Sequence, residues 1–335
     1  MKQLLETIRN LLSAGESAML LTIIERDGSA PRGVGTSMVI SMDGDQIGTI
    51  GGGTVEYQAR QDALHMLGAC ESGTREYLLY ADESDGAGMV CGGRVRVLFR
   101  CFSGSDGPDV ASHALNMLKS GESAYLVTAI RGEKIEKAEV LANGQAVQRP
   151  EIAAHLGERA VLTEEDEAQW FIVPLQGVPR VIVFGGGHVA QKMAPLLSFI
   201  DYRVWVLEDR EAFAKQALFP TAERVLHIPF DKAETKIDIT NRDHVIVLTR
   251  GHQSDVKILR RILRSKADYI GCIGSRTKVK LTRERLICDG FSEADLNRLH
   301  SPIGLPIGAE TPAEIAVSVA AELIQYTAQK RGTIK

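Results

Sequence analysis

The chain has 335 residues, of which 44% are hydrophobic and 24% charged, with a net charge of -4. That length exceeds one compact core of roughly 100 to 200 residues, so two domains are expected, and the charge balance lacks the basic excess of a nucleic-acid binder. No apolar run reaches the roughly 18 residues that a bilayer span needs, which points to a chain without a membrane span.

The opening MKQLLETIRN has the pattern of an amphipathic helix and not of a signal peptide, so a cytoplasmic location is expected. Ser17 to Glu25 reads as a strand, broken by the glycines and Pro31 of RDGSAPRGVG. TSMVIS and QIGTI flank MDGD, where Asp43-Gly44 tolerates positive φ, which predicts a β-hairpin. After Gly51-Gly52-Gly53, the residues Val55, Ala59, Ala63, Met66 and Leu67 recur at helical spacing, with Thr54 as the expected N-cap. REYLLY, GRVRVLFR and ESAYLVTAI read as strands, whereas Glu133 to Phe171 is too mixed to assign. The first half is therefore expected to be an α+β domain over residues 1–173.

PLQGVPR, from Pro174 to Arg180, marks the expected boundary. Beyond it, over 180–335, Val181–Phe184, Val204–Leu207, Val245–Leu248 and Tyr269–Ile273 are short runs apolar on both faces, separated by helical stretches. That alternation predicts a Rossmann-like, doubly wound parallel sheet, and an α/β fold class for the chain as a whole. In TPAEIAVSVAAELI, Thr311 and Glu314 form a capping box and Pro312 takes the first helical position, with Ile315, Val319 and Leu323 along one face.

GGGHVA fits the G-x-G-x-x-A form of the dinucleotide fingerprint: Gly185 turns the chain, Gly187 lets a phosphate approach and Ala190 packs close to the strand. The acids Glu208 and Asp209, with Arg210 after them, lie about 20 residues on, where a ribose hydroxyl would be held. Read blandly, the turn serves packing alone and Asp209 and Arg210 form a solvated strand end. His188 is an added donor or a surface histidine. Thr249, His252, Asp255, Ser275 and Arg276 follow two of the strands, at the carboxyl edge where such sheets bind ligands.

In the first half, GSAPRGVG, TIGGGTVEYQ and GMVCGGRV hold Arg32, Gly51, Gly52, Gly53, Cys91, Gly92 and Gly93 in three loops whose N–H groups could approach an anion. Cys91 reads either as a buried small hydrophobe or as a partly exposed soft metal ligand. The five cysteines, Cys70, Cys91, Cys101, Cys272 and Cys288, show neither CxxC nor zinc spacing and read as free thiols in a reducing compartment.

Taken together, GSAPRGVGTSMVI, GTIGGGTVEYQA and the CGG at Cys91, followed by VFGGGHVA, VLEDR, TRGHQSD, GSRTK and IGLPIGAETPAEIAVSVAAE, resemble the XdhC/CoxI family. These are accessory proteins of molybdenum hydroxylases such as xanthine dehydrogenase. The resemblance implies a non-enzymatic carrier that binds molybdenum cofactor, holds it while a cysteine desulfurase exchanges oxo for sulfide, and delivers it to the apo-hydroxylase. No family motif falls in Glu133 to Phe171. The residues themselves leave open an NAD(P)-dependent oxidoreductase, in which His252 or Asp255 would serve as acid or base, or a nucleotide-sensing module. A homodimer is the default on symmetry grounds.

Overall fold

The computed structural model describes residues 1–28, 32–79, 93–104, 107–120, 123–165, 168–175, 177 and 179–330. The chain divides into two compact units, Met1–Gly177 and Val178–Lys335.

The first unit runs α1 (Lys2–Ser13), β1 (Ala18–Gly28), β2 (Ser37–Ser41), β3 (Gln46–Gly48), α2 (Gly53–Ala69), β4 (Gly73–Leu79), β5 (Gly93–Phe102), α3 (Gly107–Ser120), β6 (Ala124–Arg131), β7 (Lys134–Ala142), α4 (Asn143–Ala146), α5 (Pro150–Ala153), β8 (Val161–Glu165) and β9 (Ala168–Leu175). Its strands form one antiparallel sheet in the order β3-β2-β1-β5-β4-β7-β6-β9-β8. Because side chains alternate across a strand, β1 feeds two cores. Leu20 and Ile24 pack with Leu5 and Ile8 of α1 and Leu115 of α3. Met19, Leu21 and Ile23 pack with Ala59, Ala63 and Met66 of α2 on the opposite face. Ala18 to Ile24 is buried on both faces and apolar except for Thr22, which is why this run stands out in the sequence.

The hairpin of β2 and β3 forms as expected, with Gly44 at φ 84° in its turn. Two expectations need correction. Glu133 to Phe171, too mixed to assign from sequence, supplies β7, β8 and the first half of β9, and its short helices α4 and α5 lie over Tyr125, Val127 and Ile172. Thr54 is not the N-cap of α2; Gly52 holds that position, at φ 75°. The Glu56 carboxylate satisfies the turn instead, accepting from the Gly52 N–H at 3.0 Å.

The second unit runs β10 (Arg180–Phe184), α6 (His188–Phe199), β11 (Arg203–Glu208), β12 (Arg224–His227), β13 (Asp243–Val247), α7 (His252–Ile262), β14 (Tyr269–Cys272), α8 (Arg276–Cys288), α9 (Glu293–Leu296), β15 (Leu299–His300) and α10 (Pro312–Lys330). The sheet is parallel, in the order β12-β11-β10-β13-β14-β15. This is the doubly wound Rossmann order, and its direction reverses between β10 and β13. Ile182, Phe184, Val245 and Val247 pack on α7 through Val256 and Leu259. Val181, Val183 and Ile246 pack on α6 and α10 through Met193, Leu197, Val319 and Leu323. Val319 and Leu323 are fully buried, each contributing about 1.5–3 kcal/mol. The capping box of α10 is formed: the Glu314 carboxylate accepts from the Thr311 N–H at 3.0 Å, and Thr311 Oγ1 accepts from the Glu314 N–H at 3.2 Å.

Candidate functional site

In the second unit, α6, α7 and α8 follow β10, β13 and β14, so all three helices begin at the carboxyl edge of the parallel sheet. The first-turn N–H groups of a helix have no partner inside it and carry partial positive charge. Ser275 caps α8 by accepting from the Lys278 N–H at 3.3 Å. The other two helices begin at glycines, Gly187 for α6 and Gly251 for α7, and neither has a side-chain cap. These two helices stand on either side of the β10/β13 switch point, where a doubly wound sheet places its ligand.

The three glycines of the turn have separate roles. Gly185 sits at φ 112°, and a Cβ there would lie 2.6 Å from the Leu248 carbonyl oxygen, so this position has to be glycine. Gly186 donates its N–H to the Glu208 carboxylate at 2.6 Å. Gly187 has an extended backbone, at φ -71° and ψ -176°, and a Cβ there meets nothing within 4 Å. Space at Gly187 is thus available to a ligand. Ala190 is buried where α6 meets the sheet, and His188 is exposed in the first turn.

Of the acids at the end of β11, Glu208 is the inward one, with 1% of its side chain exposed. It accepts from the Gly186 N–H, from the Arg210 N–H at 3.0 Å, and from the Arg210 guanidinium at 2.7 and 2.9 Å. Burial pushes its pKa up, but these donors outweigh burial and hold it at about 2. Glu208 and Arg210 therefore brace the turn. Asp209 is exposed, and with Phe230, Asp231, Ser254, Lys257, Arg260 and Arg261 it lines a cavity of about 530 Å³ beside α7.

Thr249 and Asp255 come together directly: Thr249 Oγ1 donates to Asp255 Oδ1 at 2.5 Å. Asp255 is fully buried, and its other oxygen pairs with Lys278 Nζ at 2.5 Å. Lys278 is a site residue that the sequence does not single out, because in GSRTK it reads as one more surface cation. No local pattern marks it, because its partner Asp255 lies on another helix. Next to this pair, Cys272 is buried at the end of β14; burial first, and then the Asp255 charge, push its thiol up to about 12. His252 opens α7 and Arg276 opens α8; Ser275 and Arg276 are exposed.

In the first unit, the Gly51–Gly53 turn already has an anion from this chain. Glu56 accepts from the Ile50 and Gly52 N–H groups at 2.9 and 3.0 Å, from Thr49 Oγ1 at 2.5 Å and from Gln46 Nε2 at 2.8 Å. Gly51 N–H donates to Thr49 Oγ1 at 3.0 Å. Burial raises the Glu56 pKa, but these four donors outweigh burial and bring it to about 2. An exogenous anion at these N–H groups would have to displace a carboxylate held at four points. Arg32 is exposed in the loop before β2, and Gly93 opens β5 opposite Gly28. Cys91 and Gly92 lie outside the described residues. Among the described residues, no group of three His, Cys, Asp or Glu side chains could hold a metal, and no helix is long and apolar enough to cross a membrane.

Glu56 and Glu208 give each unit an acid-sensitive brace. A carboxylate whose folded pKa is depressed stabilises the fold above its unfolded value, 4.5 here, and loses that contribution as pH falls toward about 2. For Glu208 the adjacent Asp209, whose pKa is raised by burial and by the Glu208 carboxylate, offsets part of this contribution. Urea melts at pH 7, 4 and 3 are expected to show the midpoint falling steeply below pH 4.5. Glu208→Gln should flatten that fall for the second unit; an unchanged slope would mean that Glu208 contributes nothing.

Comparison with known proteins gives two family matches, "XdhC Rossmann domain" over residues 181–323 and "XdhC and CoxI family" over residues 11–78. The chain is 30% identical over 329 residues to a Bacillus subtilis (strain 168) protein named as a probable xanthine dehydrogenase subunit, covering 94% of each. It is 24% identical over 318 residues to the molybdenum cofactor insertion chaperone PaoD of Escherichia coli (strain K12), covering 93% of this chain and 84% of that one. A crystal structure described as a xanthine dehydrogenase from Bacillus halodurans shares the fold, with a TM-score of 0.80 at 24% identity over 97% of this chain and 96% of that one. With an antiparallel α+β unit followed by a Rossmann unit, and with a full-length relative at this identity, the chain belongs to the XdhC/CoxI family.

Proposed function

We propose that the protein binds molybdenum cofactor as cargo, holds it while a cysteine desulfurase supplies the sulfide that replaces an oxo ligand, and delivers it to a xanthine dehydrogenase-type molybdenum hydroxylase. The observation that carries this reading is the switch-point crevice flanked by two glycine-capped helix N-termini, with open space at Gly187. Molybdopterin bears a phosphate and its dinucleotide form a pyrophosphate, and unpaired first-turn N–H groups suit both. The site thus fits the phosphate end of the cargo. Gly187, His188 and the first turn of α7 would contact it, with Thr249, Ser275 and Arg276 around the same edge. Asp209 and the cavity beside α7 would take a nucleoside if the cargo carries one. The name of the Escherichia coli relative, a molybdenum cofactor insertion chaperone, supports the same role.

A carrier needs no proton-transfer group at the crevice, and Asp255 is poorly placed to be one. It is fully buried and held on both oxygens by Thr249 and Lys278. An oxidoreductase would need an acid or base in reach of its substrate. The reading includes a cytoplasmic homodimer.

The test is transfer. Protein purified from a molybdenum-replete host is assayed for bound molybdenum and pterin and then added to apo-hydroxylase. Hydroxylase activity is expected to rise in proportion to loaded protein and to stop at one equivalent. Steady NAD(P)H oxidation by the isolated chain, or bound nicotinamide in place of pterin, would overturn the carrier reading in favour of a dehydrogenase or a nucleotide sensor.

A further inference from the structure

In the first unit, two thiols lie against each other. Cys70 Sγ and Cys101 Sγ are 2.8 Å apart, although the residues are 31 positions apart in sequence. Both are held by regular structure. Cys70 ends α2 in the left-handed region, at φ 52° and ψ 40°, where its N–H donates to the Leu67 carbonyl at 3.1 Å and that of Glu71 to the Met66 carbonyl at 2.9 Å. This position after a helix is ordinarily taken by glycine or asparagine, because a Cβ is strained there. Here the Cβ carries a sulfur toward β5. On the other side, Cys101 pairs with Met19 of β1, and its N–H donates to Ser72 Oγ at 2.9 Å, which ties the strand to the turn that follows Cys70. Both backbones are pinned, so the two sulfurs need close less than 1 Å to reach the roughly 2.05 Å of a disulfide.

We propose that Cys70 and Cys101 are a modification site: a dithiol that converts reversibly to an intramolecular disulfide at the expense of a low-molecular-weight disulfide. The Cys70 thiolate attacks one sulfur of the external disulfide, breaking its S–S bond and releasing one thiol. Cys101 then attacks the Cys70 sulfur of the mixed disulfide and releases the second thiol. The two cysteine protons end on the two released thiols, and the two electrons of the dithiol reduce the external S–S bond. Exposure assigns the order: Cys70 is open to solvent and Cys101 only partly so. Burial, and then the neighbouring Cys70, push the Cys101 thiol up to about 12, which keeps it protonated and leaves the first attack to Cys70; its own attack is intramolecular, where contact between the two sulfurs offsets a small thiolate fraction. In a reducing compartment such a pair rests as the dithiol, and it is oxidised where low-molecular-weight disulfide accumulates. The site lies at the far end of α2 from the Gly51–Gly53 turn, about 25 Å along a helix of this length, so it acts on the rigidity of the first unit.

The test uses the full chain, equilibrated with reduced and oxidised glutathione, acid-quenched, alkylated and peptide-mapped. A linked Cys70–Cys101 peptide is expected in most chains under oxidising ratios and in none under reducing ones. The oxidised first unit should melt roughly 5–10 °C higher. In Cys101→Ser, the same treatment should leave glutathione on Cys70. Both thiols alkylated at every ratio, Cys70 held as a mixed disulfide while Cys101 stays free in the unsubstituted chain, or Cys70 linked between two chains would each overturn the proposal. The unsubstituted chain decides the matter even if a variant fails to fold.

Discussion

Replacing Lys278 with methionine is expected to cost about 3–5 kcal/mol of stability in the second unit, the range for breaking a buried ion pair by removing one partner. Asp255 has no exposed surface, and the ammonium of Lys278 sits 2.5 Å from one of its oxygens. Methionine keeps the stem that packs along Gly274, where a Cβ would lie 3.3 Å from Lys278 Cδ, but it removes the charge. The buried carboxylate then keeps the Thr249 hydroxyl but loses the cation that balances it. Adding Asp255→Asn to Lys278→Met should recover much of the loss, because an uncharged pair has no orphaned ion to desolvate. Urea melts of the two single variants and the double variant give the coupling energy. Additive losses would show that the pair is solvated and that its contact is incidental.

Gly185→Val is expected to be similarly severe, about 3–5 kcal/mol, for a different reason. The position combines φ 112° with a Cβ that would meet the Leu248 carbonyl oxygen at 2.6 Å, its carbon at 2.9 Å and the Thr249 nitrogen at 3.1 Å. Backbone strain of this kind costs about 1–3 kcal/mol, and a collision with backbone, which cannot rotate away, adds a comparable amount. The N–H of Gly185 donates to the Leu207 carbonyl and that of Leu248 to the Phe184 carbonyl, so any shift of the turn also disturbs its ladder with β11 and β13. A melting temperature within 2 °C of the unsubstituted chain would refute the close approach.

These two residues show what a single sequence makes visible. A strand, three glycines and a helix stand out at Gly185 because each carries a local signal: apolar β-branched residues, freedom at φ, and helical periodicity. The capping box at Thr311 is visible for the same reason. Lys278 carries no such signal, because its partner Asp255 lies on another helix and a lysine in GSRTK looks solvated until the fold brings them together. The roles of Glu56 and Glu208 are hidden for a related reason: they serve as internal anions for glycine turns, whereas in sequence an acid in a helix reads as surface and one at a strand end as a ribose ligand. Thr54 looks like the N-cap because its side chain is the right kind, yet Glu56 four residues beyond Gly52 reaches the turn first. β12 and β15, four and two residues long, are too short to show a period. β7 is largely exposed along its first half, so it lacks the apolar run that marks β1.

The central claim is that the crevice at Gly187 takes the phosphate end of a bound cofactor, and Gly187→Val tests it most directly. The backbone at this position suits any residue, and a Cβ meets nothing within 4 Å. The variant should therefore fold, with a melting temperature within about 4 °C of the unsubstituted chain, since exchanging a glycine N-cap for valine costs on the order of 1 kcal/mol. The added branches would occupy the space over the first turn of α6. Titration with molybdenum cofactor released from a purified hydroxylase, followed by fluorescence, is expected to give binding weaker by about tenfold or more, the loss of one charge-assisted contact. Equal affinity in the variant and the unsubstituted chain, with both folded, would contradict the claim and leave the glycine turn a packing device.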